Sequence, residues 1–252
     1  MTPRTPMLCY KPVEKGDCPF LTSCFPATYR YPQKGDTPKR DCPLFQHMSS
    51  FDSMQMTVRG LCNAIEQLHP PINPRLCAPA SEEQVRSAEK SLGLAFPEDL
   101  RHFLWCHDGQ DFFSSASGYG DPLVPMMRQP ATGGGYSHYW LNGTREIVEC
   151  TARYRHDLDC FQPAEFEVFG PARYHDQFIV FTDSENADCL VIDLLPEPGG
   201  VVGQVVLFCT QSPQIIVLAS NLETFLQSLA TGYSQGRFKH SPCEYFVSYV
   251  ER

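Results

Sequence analysis

No apolar run in these 252 residues approaches the ~20 needed to cross a bilayer. The opening stretch MTPRTPMLCYKPVEKGD also lacks the apolar core of a secretory signal. We therefore expect a soluble protein of the cytoplasm or nucleus, with no membrane partner. Without export, the twelve cysteines are expected to be free thiols or metal ligands rather than disulfides. The Asn142-Gly143-Thr144 sequon then reads as a turn and a helix cap. Nowhere is there a Cys-x-x-Cys knuckle, and the gaps from Cys9 through Cys18 and Cys24 to Cys42 are 8, 5 and 17 residues. Free thiols are the reading, no cofactor is expected, and zinc at these cysteines with His47 or His69 is the alternative. Thr132-Gly133-Gly134-Gly135 lacks the lysine and following hydroxyl of a phosphate cradle, so it reads as a loop. No repeat of 20 to 50 residues is present.

Positive charge is scarce where the apolar residues are densest. Residues 77–232 hold eight Lys+Arg against 21 Asp+Glu, a net −13, whereas residues 1–76 are net +3 and residues 233–252 net +1. Such a region repels phosphate backbones, so direct nucleic-acid binding by it is not expected, while basic protein surfaces are attracted. The composition divides the chain into a Pro/Cys-rich extension (1–76), a central domain (77–232) and a tail (233–252). The first 79 residues hold 12 of the 22 prolines, which breaks up regular structure. Their aromatic residues, Tyr10, Phe20, Phe25, Tyr29, Tyr31 and Phe45, nevertheless suit packing. Within the extension, Val58, Leu61, Cys62, Ile65 and Leu68 recur at helical spacing, which predicts a helix over Thr57 to Leu68 closed by Pro70-Pro71.

The clearest pattern runs from Pro79 to Gly109. Ser81 and Gln84 form a capping box, Val85, Ala88 and Leu92 make one face, and Gly93 supplies a left-handed stop. Pro97 opens a second helix with Leu100, Phe103, Leu104 and His107 on one face, and Asp108-Gly109 ends it. Further on, Phe178 to Phe181, Leu190 to Leu194, Val205 to Phe208 and Ile215 to Leu218 are branched apolar runs separated by turns, which read as an antiparallel meander. The connector Pro196-Glu197-Pro198-Gly199-Gly200 cannot continue a strand. Ser220 and Glu223 form another capping box before Leu222, Phe225, Leu226 and Leu229, with Gly232 as the stop. Tyr139 to Leu141 and Phe166 to Phe169 read as strands, Thr144 to Tyr154 as a helix, and alternating Tyr245, Val247 and Tyr249 as an edge strand.

Glu89, Leu92, Gly93, Phe96-Pro97, Leu100, Phe103, Leu104 and Gly109, with the closing Gly203-Gln204-Val205 and Ala219 to Leu226, resemble the SUKH superfamily of Smi/Knr-type domains. The resemblance spans roughly Cys77 to Tyr233, with Asp108-Gly109 where the family more often has Asn-Gly. It implies an α+β fold, a mixed or antiparallel sheet of about five or six strands flanked by helices at Glu82 to Leu92, Glu98 to His107 and Asn221 to Ala230. It also implies partner binding without a shared catalytic set. Bacterial members are immunity proteins against nuclease toxins, and viral members are associated with blunting host defence. The long extension points to a eukaryotic or viral member.

Candidate chemistry is sparse. Cys106-His107-Asp108 brings together a thiol, an imidazole and a carboxylate, but successive helix residues diverge by about 100° and do not face one another as nucleophile and base must. Asp183, Glu185, Asp188 and Asp193 cluster around a hairpin, and carboxylates on its edge, with Glu165 and Glu167 beside them, form a candidate acidic face for a basic protein. Arg173, Tyr174 and Trp105 are its candidate anchors. The expected function is therefore a non-enzymatic interaction module that binds and neutralises or recruits a protein. A toxin-immunity protein and a thiol- or metal-dependent hydrolase are the alternatives, and the sequence is silent on oligomeric state.

Overall fold

Ser81 starts the central domain's first helix because its hydroxyl accepts the Gln84 N–H at 3.2 Å while Gln84 Oε1 accepts the Ser81 N–H at 2.8 Å. In the computed structural model, which describes residues 49–68, 72–111, 113–114, 118–119, 121–128, 136–160, 175–183, 188–208, 215–241 and 246–249, this helix runs over Glu82–Leu92 and stops at Gly93 with φ +66°. It is preceded by α1 (Ser50–Glu66) and is therefore α2. The next, α3 (Glu98–Cys106), follows Pro97 and ends where His107 turns extended.

Helix α1 starts seven residues before the predicted Thr57. Ser49 and Asp52 form a reciprocal capping box, so the first turn is stabilised without apolar periodicity. Met54, Val58, Leu61, Ala64 and Ile65 then enter the same core as Leu100, Leu104, Leu226 and Leu229. The helix expected within the extension is thus present and longer than predicted, and its apolar stripe packs against α3 and the closing helix.

The strands are β1 (Phe113–Ser114), β2 (Gly118–Tyr119), β3 (Val124–Arg128), β4 (Tyr136–Leu141), β5 (Phe178–Val180), β6 (Thr182–Asp183), β7 (Cys189–Asp193), β8 (Gln204–Phe208) and β9 (Ile215–Ala219). The meander is found as read: β5, β7, β8 and β9 pair antiparallel in that order. Ile179, Ile192 and Val205 lie in cross-strand register and face α1, α3 and the closing helix. Val180, Val191 and Val206 face the other way, onto Cys150 and Tyr154 of α4 (Thr144–Cys160). Burial on both faces is why these strands read as continuous apolar runs without polar alternation. A second antiparallel sheet, β3-β4-β6, branches off where only Phe181 separates β5 from β6. The fold is α+β, as the sequence predicts.

The closing helix α5 (Leu222–Ser234) departs from the reading in two details. Asn221, not Ser220, caps it, with Oδ1 accepting the Thr224 N–H at 2.8 Å, and Glu223 instead accepts hydrogen bonds from Ser53 and Thr57 of α1. Gly232 does not stop it. A Cβ there would lie 2.2 Å from the Phe238 ring, so this glycine serves close packing, and the left-handed residue is Gly236 at φ +63°. Beyond it, β10 (Phe238–Ser241) pairs antiparallel with β11 (Phe246–Tyr249), so the tail strand is present as half of a hairpin that lies against β3. The Thr132 to Gly135 loop and the Phe166 to Phe169 strand fall outside the described residues.

Candidate functional site

Cys106, His107 and Asp108 sit where α3 gives way to an extended segment, and each is committed to a structural neighbour or left unactivated. His107 Nδ1 donates to the Cys77 carbonyl at 3.0 Å, pinning the strand-like run before α2 against the end of α3. Asp108 reaches across to α4, with Oδ1 accepting the Thr144 N–H at 2.6 Å and Oδ2 accepting the Thr144 hydroxyl at 3.2 Å. Burial pushes the Cys106 thiol above its ordinary pKa, the opposite of what a thiolate nucleophile requires. Cys62 and Cys77 move the same way, chiefly through burial, with Glu66 adding to it at Cys62 and Asp111 and Asp108 at Cys77. The triad geometry of a hydrolase is thus not assembled by these three residues.

Among the described residues no three His, Cys, Asp or Glu side chains gather as a metal would require. The zinc alternative at Cys9, Cys18, Cys24, Cys42, His47 and His69 lies outside those residues.

The acidic hairpin is described in part. The backbone of Asp183 pairs with Trp140 at the end of β6, and β7 begins six residues later at Cys189. The side chain of Asp183 and residues Glu185, Glu165, Glu167, Arg173 and Tyr174 lie outside what is described. Asp188 is 1% exposed, so its carboxylate is buried beside β7 and is not presented on an outer acidic face. That part of the sequence expectation is corrected, and for Asp193, 4% exposed, as well: the two carboxylates lie at the two ends of β7, a strand buried along its whole length. Trp105 is half-buried against the core, edge-on to Phe51 at 6.2 Å and 5.5 Å from the His102 ring, and so serves packing.

A surface feature that sequence reasoning passed over lies at the opposite end of the sheet. The connector between β7 and β8, read only as a strand breaker, carries Leu195, Val201 and Val202 at 60%, 49% and 68% exposure. The available signal was their position: three aliphatic residues flanking a Pro-Gly turn rather than lying within a strand.

Among the described residues no helix is long and apolar enough to cross a membrane. The model of the SMI1 / KNR4 family (SUKH-1) matches residues 79–228. The chain is 26% identical over 171 residues to the Schizosaccharomyces pombe protein described as cell wall biosynthesis/cell cycle regulator smi1, covering 65% of this chain and 33% of that protein. It is 23% identical over 193 residues to the cell wall assembly regulator SMI1 of Saccharomyces cerevisiae, covering 68% and 38%. With the KNR4/SMI1 homolog of Kluyveromyces lactis it shares 25% identity over 246 residues, covering 71% and 44%. The chain thus spans between a third and somewhat under half of the length of these relatives.

Proposed function

Because the chain belongs to the SMI1/KNR4 family (SUKH-1), we propose that it is a non-enzymatic interaction module whose acidic domain docks onto a basic protein and recruits or neutralises it. The observation that carries this reading is the pairing of a strongly negative domain, net −13 over residues 77–232, with the structural commitment of the groups best suited to chemistry. His107 and Asp108 hold neighbouring segments together, and the adjacent thiol is shifted away from reactivity. An acidic surface steers a basic partner over distances of roughly a Debye length, ~8 Å at physiological salt.

The curated relatives carry names of cell wall regulators, and we place this domain in the same kind of role, as the docking part of a regulatory protein in the cytoplasm or nucleus. Asp183 and Glu185, with Glu165 and Glu167, supply the acidic contacts, and Arg173 and Tyr174 the anchors. Affinity capture with the full chain as bait, followed by mass spectrometry and repeated with Asp183→Lys/Glu185→Lys, tests this reading. We expect a basic partner whose retention falls with added salt and with charge reversal. Recovery of no protein above the level of a charge-matched unrelated bait would overturn the binding function, and salt-sensitive capture unchanged by the reversal would remove this face from it.

A further inference from the structure

The loop between β7 and β8 exposes aliphatic side chains to water yet is held rigidly by a buried polar network. Asp193, 4% exposed, and Gln204, 6% exposed, are joined by a hydrogen bond from Gln204 Nε2 to Asp193 Oδ2 at 3.0 Å. From there the pair holds both ends of the loop. Asp193 Oδ1 accepts the Leu195 N–H at 3.0 Å, the Asp193 carbonyl accepts the Gly203 N–H at 2.8 Å, and Gln204 Oε1 accepts the Val201 N–H at 3.2 Å. A turn closes the tip through Gly200 N–H to the Glu197 carbonyl at 2.8 Å. His175 completes the brace. Its Nδ1 accepts the Gln177 N–H at 3.2 Å, which leaves Nε2 as the nitrogen facing Asp193 Oδ1 at 3.2 Å.

Burying a carboxylate is costly unless its lone pairs are filled. Here they are filled by the Leu195 N–H, Gln204 and His175, and Gln204 in turn holds Val201, so the loop is anchored at Leu195 on one side and at Val201 and Gly203, which flank Val202, on the other. A loop that served only to connect two strands would not require this, and exposed aliphatic side chains held in one geometry lower the ordering cost of binding.

The surroundings define the partner. Beside the loop lie the segment preceding β5, residues 175–177, where the Gln177 carbonyl accepts the Leu194 N–H at 3.1 Å, and Pro97, which is 3.9 Å from a Cβ built on Gly203. Asp99, two residues after Pro97, caps α5 by accepting the Leu222 N–H at 2.7 Å, which brings residues 220–223 to the same end of the sheet. Segments 97–99, 175–177, 194–203 and 220–223 contain Glu98, Asp99, Asp176, Glu197 and Glu223 and no lysine or arginine of their own. The cation seated on them is Arg155 of α4, whose guanidinium donates to the Asp176 and Leu92 carbonyls, so that this end of the sheet stays net negative. Glu98, Asp176 and Glu197 are exposed. Like charges at this end oppose pairing with a second copy of the chain.

We propose that this loop is a docking knob for a basic, aliphatic-bearing protein segment. Leu195, Val201 and Val202 would contact the partner's apolar side chains, while Glu98, Asp176 and Glu197 meet its lysines or arginines. The proposal rests on the binding function above and gives it a second, separate contact surface.

The test uses the full chain labelled with ¹⁵N and a short synthetic peptide alternating lysine and leucine. Two control peptides replace lysine by glutamate or leucine by serine. Amide shift changes are expected at residues 194–203, 175–177 and 97–99 with the Lys/Leu peptide alone. Affinity should fall about tenfold or more in Leu195→Ser/Val202→Ser and in Glu197→Lys. These positions are exposed, so unchanged far-ultraviolet circular dichroism is expected to verify the fold. Shifts confined to other surfaces, equal binding of the serine or glutamate control, or no binding at all would overturn the knob. The wider binding function stands or falls separately, on the capture experiment.

Discussion

Asp108 and Thr144, 36 residues apart, are joined by two hydrogen bonds at the point where α4 begins. A carboxylate from one segment thus performs for another helix the service that an N-cap residue usually performs for its own. Asp108→Ala is expected to cost about 1–2 kcal/mol of folding stability. Asp108→Asn, which keeps one acceptor and restores the residue more usual in the family, should cost less than half as much. Urea denaturation of the three proteins checks the order, and an Asn variant as unstable as the Ala variant would refute the cap.

Gly109 and Gly93 offer a matched pair. Both have positive φ, +75° and +66°, but a Cβ on Gly109 would come within 2.2 Å of the Gly143 backbone nitrogen, while nothing lies within 4 Å of a Cβ on Gly93. Gly93→Ala should therefore lose only the left-handed penalty of about 1 kcal/mol. Gly109→Ala adds a backbone collision that no side-chain rotation relieves, for a total of roughly 3 kcal/mol or more. Equal losses in thermal denaturation would show that the two turns do not pack as described.

Asp99 yields a pH dependence with a defined sign. Burial raises its carboxyl pKa, and backbone N–H groups of Leu222, Glu223 and Leu100 only partly offset this. Between the unfolded value of about 3.9 and the raised folded value, the native state binds more protons than the unfolded chain. Stability from this group is therefore complete below about pH 3.9 and is lost as the pH rises through the folded value. Relative to Asp99→Asn, the wild type should gain stability on acidification from neutrality and then level off. A gain in the opposite direction, read from denaturation midpoints across pH, would contradict the assignment.

The thiols give a chemical test of the non-enzymatic reading. With burial raising Cys106, Cys77 and Cys62 above the ordinary value of 9.0, alkylation by iodoacetamide should stay slow at neutral pH. It should still be rising beyond pH 9. A plateau for Cys106 below pH 8, followed peptide by peptide in the mass spectrometer, would mean an activated thiolate and reopen hydrolysis.

What could be read from the chain follows the range over which each interaction acts. The Ser81–Gln84 box, the Gly93 stop and the four apolar strand runs are local patterns, and the structure contains each of them. Gln110 was not legible. It is 8% exposed, and its side chain hydrogen-bonds Pro74, Asp121, Leu123 and Leu141, partners 11 to 36 residues away that the adjacent Asp108-Gly109 turn does not point to. Carboxylates clustered around a hairpin in the sequence suggest an acidic face without telling which of them turn inward, and Asp188 and Asp193 do. Prolines and glycines mark the β7–β8 loop only as a break between strands. The buried Asp193–Gln204 pair that stiffens it joins residues 11 positions apart, and only strand pairing brings them together.

Helix α1 lies before the region that the family model matches, yet its apolar stripe is part of the central core. Leu61 is 2% exposed, and Met56, one face around, is 59% exposed. If α1 is integral to the fold, Leu61→Ala should cost roughly 2–5 kcal/mol, whereas Met56→Ala should stay within about 0.5 kcal/mol of wild type. Ser53→Ala and Thr57→Val, which remove the donors to Glu223 on α5, should each cost about 1 kcal/mol. Because α1 covers α3 and α5, a chain begun at residue 79 should expose that apolar surface and aggregate, whereas one begun at residue 49 should unfold cooperatively. Equal stability of the two truncations in urea would show that α1 is an accessory.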